Sequence, residues 1–386
     1  MARLVANLAG QTNVVLEQPA KVTESQNVSV LNQDSDCSYS IFQGIFRSAK
    51  ITSDMSRHTV IYLDTNYLSN MAKAQLGSIT DQDECKFWFS LLEDLKDKVL
   101  SDAIACPEFS FQQEEASFDA RIEEAVGRII DELSQGLKFN TWKDILDLQI
   151  EEAAYKFLGK DPPQRETWAI AFTSNPQASV RSGVRGGYPY PNYGVDASPL
   201  SQNEIVKYKR QQKARWVDYA GGTLKPYTRH SWDETLRRDK LYSVDCILGP
   251  KAWADAEMLN KFGSSADMQE LTDRLVRLLE IGITGGNFMD FLKSDELLNS
   301  AFIDIHSSIR TAAAKYFPKR KQKGSDLRDP VMLASVIPYS DMVTTDKFMK
   351  HLSVTCLGLE QKYKCKIFSL SKEDRLNFQK KVKESK

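Results

Sequence analysis

Two carboxylates, Asp64 and Asp346, each close a short apolar run. The first run is Thr59-Val60-Ile61-Tyr62-Leu63, followed by Asp64-Thr65-Asn66. The second is Met342-Val343-Thr344-Thr345, with Asp341 before it and Asp346 after it. Strands buried on both faces of a parallel sheet read as continuous apolar runs. Open α/β sheets bind ligands outside the carboxyl ends of such strands. Acids at those ends, far apart in sequence, predict a pocket assembled by folding. Two like charges about 4 Å apart repel by roughly 4 kcal/mol at an effective dielectric near 20. Such a group must take up protons or hold cations. Carboxylates with few histidines suit a hard cation, Mg²⁺ or Mn²⁺. The four histidines of the chain show no zinc-ligand spacing.

The elements that must position these acids show as periods. After Asp64 the pattern turns helical, with Tyr67, Leu68, Met71, Ala72 and Leu76 on one face and Gly77 as a stop. A second helix is expected from Asp83 to about Lys96, burying Phe87, Trp88, Leu91, Leu92 and Leu95. Ala103-Ile104-Ala105-Cys106 reads as a buried strand, and Pro107 as the first residue of the next helix. This β-α-α-β-α order marks a parallel sheet. From about Ala116 to Lys323 the chain reads as mainly helical. Its clearest segments carry Ile122 to Leu133, Trp142 to Leu158, and Met268 to Leu279 ended by Gly282. A Gly/Pro/Tyr-rich loop, Arg181 to Gly194, interrupts this region, with a guiding and a purely structural reading equally open.

Near the end, Asp329-Pro330 reads as an N-cap and the first helical residue. Val331 to Ile337 then forms a short helix stopped by Pro338. The strand Met342 to Thr345 follows, then a helix with Phe348, Met349 and Leu352, and a last strand over Lys366 to Leu370. Ser371 to Lys386 is charged and reads as a helix or a frayed end.

Composition narrows the class. The chain has 386 residues, 41% apolar and 27% charged, as expected for a largely globular protein. No apolar run is long enough to span a membrane. The formal net charge is -1, so attraction to nucleic acid must come from local basic patches. Six scattered cysteines without a C-x-x-C pair read as reduced thiols of a cytoplasmic protein. Residues 1–57 are rich in Gln, Asn, Ser, Val and Ala, lack a secretory-signal pattern, and read as a mobile or loosely docked extension.

The order and context of the acids resemble a family. Leu63-Asp64-Thr65-Asn66 before an amphipathic helix looks like the opening motif of PIN-domain nucleases. Asp329-Pro330-Val331-Met332-Leu333-Ala334 looks like the family's third acidic position, and Val343-Thr344-Thr345-Asp346 like its fourth. Ile337-Pro338-Tyr339-Ser340-Asp341 with Asp346-Lys347 resembles a bacterial PIN-like subgroup. The resemblance covers about 60–116 and 325–370.

It implies a doubly wound parallel α/β sheet flanked by helices, with a metal-dependent phosphodiesterase site. The implied organisation is an N-terminal extension over 1–57, a PIN-like domain over 58–372 and a charged tail over 373–386. A helical insertion at about 117–323 interrupts the domain. The implied catalytic acids are Asp64, Glu114, Asp329 and Asp346, with Asp64, Asp329, Asp341 and Asp346 as ligands of Mg²⁺ or Mn²⁺. Asp326 is an alternative to Asp329. The family's second acid is a Glu in the helix after the second strand; alignment puts Gln113 there, and a one-residue slip restores Glu114.

The implied activity is an endoribonuclease leaving a 5′-phosphate and a 3′-hydroxyl. Such enzymes serve as toxins, defence effectors or RNA-processing factors. Substrate contacts are expected from Asn66 and from two basic clusters. Lys207, Lys209, Arg210 and Arg215 are interleaved with Tyr208, Trp216 and Tyr219, and Lys321 and Lys323 precede Asp326.

Rival readings stay open. The acids are also good helix N-caps, and a charge run is often a solvated face. A catalytically degenerate scaffold binding nucleic acid or a regulatory protein, and a nuclease of single-stranded or structured DNA, are the alternatives.

Overall fold

The run Thr59-Val60-Ile61-Tyr62 is strand β1. Its even-numbered side chains face one way and its odd-numbered ones the other. Both faces are apolar and both are covered. In this computed structural model, residues 58–110, 112, 120–163, 171–173, 231–261, 266–318, 320 and 325–385 are described. The expected extension over 1–57 and the loop Arg181 to Gly194 lie outside them.

The remaining strands are β2 (Ile104–Ala105), β3 (Lys138–Phe139), β4 (Phe172–Thr173), β5 (Met342–Thr344) and β6 (Lys366–Phe368). β2, β1, β5 and β6 form one sheet in that order, and every pairing in it is parallel. β3 and β4 form a separate antiparallel pair that the sequence pattern did not reveal.

The α-helices among the described residues are α1 (Thr65–Gln75), α2 (Gln82–Leu100), α3 (Ala120–Ser134), α4 (Trp142–Phe157), α5 (Trp232–Ile247), α6 (Pro250–Lys261), α7 (Ala266–Ile281), α8 (Phe288–Phe291), α9 (Asp295–Leu298), α10 (Ala301–Tyr316), α11 (Ser325–Val336), α12 (Lys347–Lys350), α13 (Leu359–Tyr363) and α14 (Lys372–Glu384). From β1 the chain steps outward to β2 in one direction, and from β5 to β6 in the other. Right-handed crossovers then fall on opposite faces of the sheet. The packing agrees. Ile61, Leu63, Ile104, Met342 and Phe368 pack with α1, α2, α3 and α14. Val60, Tyr62, Ala105, Val343 and Ile367 pack with α4, α10, α11 and the segment after α12. The fold is a small parallel sheet between two helical layers. No helix among the described residues is long and apolar enough to cross a membrane.

Several expectations hold. α1 buries Tyr67, Leu68, Met71 and Ala72 and gives way to Gly77, whose φ of 64° is left-handed, but Leu76, expected on the same face, is its exposed C-cap. α2 buries Trp88, Leu91, Leu92 and Leu95 but runs on to Leu100. α7 ends at Gly282, φ 116°. The five described cysteines are free thiols.

Others are corrected. Pro107 opens no helix: Glu108 bridges to Lys138 instead, and its backbone bonds to Leu137 and Phe139. α11 starts at Ser325, so Asp329 is not its N-cap and Pro330 lies inside it. Pro330 therefore deletes the bond that a residue there would donate to the Asp326 carbonyl. Of the two forms expected for the charged C-terminal segment, the helix is the one found, and it is docked, with Phe378 and Val382 fully buried. α3 and α4, which the sequence assigns to an insertion, supply packing layers of the sheet itself.

Candidate active site at the carboxyl edge of the sheet

β1 and β5 are neighbours, paired Ile61 to Met342 and Tyr62 to Val343. Extending that register sets Asp64 opposite Thr345 and one residue short of Asp346. With strands about 4.8 Å apart and a rise of about 3.3 Å per residue, the two aspartate Cα atoms stand on the order of 6 Å apart. They flank the point where the strand order reverses direction, which is where open α/β sheets bind ligands.

Asp64 is buried, 6% exposed. It is the N-cap of α1, and its backbone carbonyl accepts from Tyr67 and Leu68. The Asn66 side-chain amide donates to its Oδ2 at 2.7 Å, while the Asn66 backbone N–H is a longer 3.4 Å away. The Asp64 N–H donates to Thr344 Oγ1 at 2.7 Å, tying the end of β1 to β5. Asp346 is half-buried and is the N-cap of α12, its Oδ1 accepting from the Met349 N–H at 2.7 Å. Capping thus holds for both acids. For Asp346 it occupies one oxygen only.

Gln112, 3% exposed, sits against the same strand end. Its side chain donates to the Leu63 carbonyl at 2.6 Å and accepts from the Phe109 N–H at 2.8 Å. Gln113 and Glu114, the two candidates for the family's second acid, lie outside the described residues.

Asp341 is at the wrong end of β5 for this group. Its Oδ2 accepts from the Val60 N–H at 2.8 Å, at the amino edge of the sheet. Five residues of extended chain separate it from Asp346 by about 16 Å. Glu108 is buried and paired with Lys138 at 2.9 Å.

α11 returns toward β5 through a 3₁₀ turn at Ile337–Tyr339. Its 12 residues span about 18 Å against the strand direction. Asp329, half-buried, lies in its second turn and does not gather with Asp64 and Asp346 into a group that could hold a metal ion. Lys321 and Lys323, which precede it, and Lys207, Lys209, Arg210 and Arg215 lie outside the described residues. Arg320 is described, and its guanidinium lies 3.6 Å from the centre of the Phe348 ring.

A support shell escaped the sequence. Asp374 on α14 accepts from Lys350 at 2.5 Å, from the Ser369 N–H at 3.0 Å and from the Ser369 hydroxyl. Burial works upward on its carboxyl, but the Lys350 ammonium and the Ser369 donors outweigh it and hold the pKa below the usual range. The link fixes α12, which Asp346 caps, to the last helix. Tyr67 donates to the Ser369 carbonyl at 2.8 Å. Burial chiefly, then the charges of Asp374 and Asp64, push its pKa up. The only sequence signal for this shell is the serine-rich turn after β6.

Among the described residues, no group of three or more His, Cys, Asp or Glu side chains gathers to hold a metal ion. The edge defines an α/β protein with a pair of acids at the switch point of its sheet. No family model, curated protein or solved structure matches the chain.

Proposed function

We propose that this chain is a divalent-metal-dependent nuclease of the PIN-like kind, acting on RNA. One observation carries the reading. Asp64 and Asp346 leave adjacent parallel strands at the switch point, each fixed by a bond at the start of a helix.

A pair of carboxylates fits Mg²⁺ or Mn²⁺. Mg²⁺ is commonly held through one or two carboxylates, with water and substrate phosphate completing the octahedron. Such a cation supplies Lewis acidity and an activated water for in-line attack at phosphorus. The protein's own groups set the geometry. Asn66 holds one oxygen of Asp64, and Thr344 fixes its backbone. The Met349 amide engages only Oδ1 of Asp346, which leaves Oδ2 for an ion or an ion-bound water. The helix N-termini behind Asp64 and Asp346 favour anions and so also favour an approaching phosphate.

Gln112 favours a second reading. A neutral amide bonded to two backbone groups stands one residue before Gln113, the position to which the family resemblance assigns a further acid. A scaffold that has lost catalysis and binds nucleic acid or a protein would tolerate it.

Titrating Mn²⁺ into metal-free protein and assaying RNA cleavage separates the two. The nuclease reading expects a rise in melting temperature with Mn²⁺ and cleavage that EDTA abolishes. Full cleavage in EDTA contradicts the metal-dependent reading; neither metal binding nor cleavage favours the scaffold.

A further inference from the structure

Rings and cations from three separated segments meet beside Asp346. α10 ends at Tyr316, whose side chain is 49% exposed. The Tyr316 ring stacks on Trp232, with centroids 5.8 Å apart and planes 14° apart. The next residue, Phe317, meets the Phe348 ring edge-on at 5.2 Å. Phe348 lies two residues past Asp346 and carries the Arg320 guanidinium. Trp232 opens α5, and the sequence leading into it, from Lys207 to Arg229, is the most basic aromatic-rich stretch of the chain.

We propose that Tyr316, Trp232, Arg320 and Phe348 form a base-stacking platform that delivers a single strand to the acids. The proposal rests on the nuclease reading above. An aromatic residue half in water gains little from burial, so core packing does not account for Tyr316. What it offers is a half-exposed ring backed by a near-parallel indole. Every base can stack on such a face, whatever its sequence, and a planar guanidinium is equally suitable. Lysines on both sides, Lys315 and Lys347, suit phosphates. Phe317, next in the chain to Tyr316, meets Phe348, which stands two residues past the cap residue Asp346. A base held on Tyr316 therefore sets the register of the phosphate at the acids. A duplex keeps its base faces stacked inside and presents only backbone to this surface.

The test measures binding of the full chain, in EDTA, to three labelled probes: a short oligouridine, the same strand with its bases removed, and a duplex of equal length. The parent should prefer the oligouridine to the abasic strand by about tenfold, the contribution of roughly one stacked base. Tyr316→Ala should erase most of that preference and Tyr316→Phe should keep it. Arg320→Lys, which keeps the charge and loses the plane, should weaken oligouridine binding more than abasic binding. Equal binding of based and abasic strands by the parent, or an unchanged preference in Tyr316→Ala, overturns the platform. If the parent still cleaves RNA in Mn²⁺, the nuclease reading survives that result. A parent that neither binds nor cleaves any strand overturns both.

Discussion

The Asp64 N–H is buried, and its acceptor is the hydroxyl of Thr344, itself fully buried. Thr344→Val keeps the shape and removes the acceptor. Leaving that donor unsatisfied should cost about 1–3 kcal/mol, read as a lower urea midpoint at constant slope. Thr344→Ser should restore most of it. Cleavage should fall with Val and recover with Ser, because the carboxylate moves with its backbone. Asp64 and Asp346 are legible in the sequence because each ends an apolar run, and the sheet turns that pattern into proximity. Asp341 misleads for the same reason. It lies five positions from Asp346, but an extended strand converts short sequence distance into opposite edges. Gln112 is hidden because its role depends on a backbone carbonyl, Leu63, that no side-chain pattern announces.

At the scale of elements, β1, β5 and β6 stand out because buried parallel strands are uninterrupted apolar runs. β3 and β4, two residues each, are too short for any period to register. Pro330 misplaces the start of α11, since proline favours the first helical position and here sits further in. α14 reads as a charged tail because its burial rests on two side chains one turn apart, Phe378 and Val382. Phe378 packs edge-on against Tyr67 and at a tilt against Phe368. Phe378→Ala should therefore destabilise the whole domain by about 3–5 kcal/mol. A change within about 0.5 kcal/mol, as for an ordinary surface position, would contradict the docking of this helix. Losing α14 should also loosen α12, through the ion pair between Asp374 and Lys350.

For the whole molecule, acid stability follows from groups buried between the helices. His306 stacks on Phe302, and its Nδ1 is buried without a hydrogen-bond partner among the described residues. Burial first, and the Arg310 charge second, pull its pKa down to about 3. The unfolded chain binds a proton there below about pH 6.5, whereas the folded chain does not until near pH 3. Its contribution is complete above about pH 6.5 and falls with acidification, by up to ~1.4 kcal/mol per pH unit. Asp304 and Asp374 act lower. Burial raises both, but Lys240 and Lys362 on one, and Lys350 on the other, leave them below the usual carboxylate range. Their contribution is lost only below about pH 4. His306→Gln should thus flatten the stability profile between about pH 6.5 and 4 and leave the lower limb intact, measured by urea unfolding across pH.

The central claim is that Asp64 and Asp346 do chemistry as well as capping. Asn caps a helix about as well as Asp, so Asp64→Asn and Asp346→Asn separate the two roles. Both variants should fold and, without metal, be as stable as the parent or slightly more so, because one like-charge repulsion is gone. The deciding measurement is the rate of Mn²⁺-dependent RNA cleavage by these folded variants. The account predicts a loss of at least about a hundredfold in each, the upper end of what removing a mere supporting partner of a metal ligand costs. Folded variants that cleave RNA at the parental rate would contradict it and leave the two aspartates as helix caps alone.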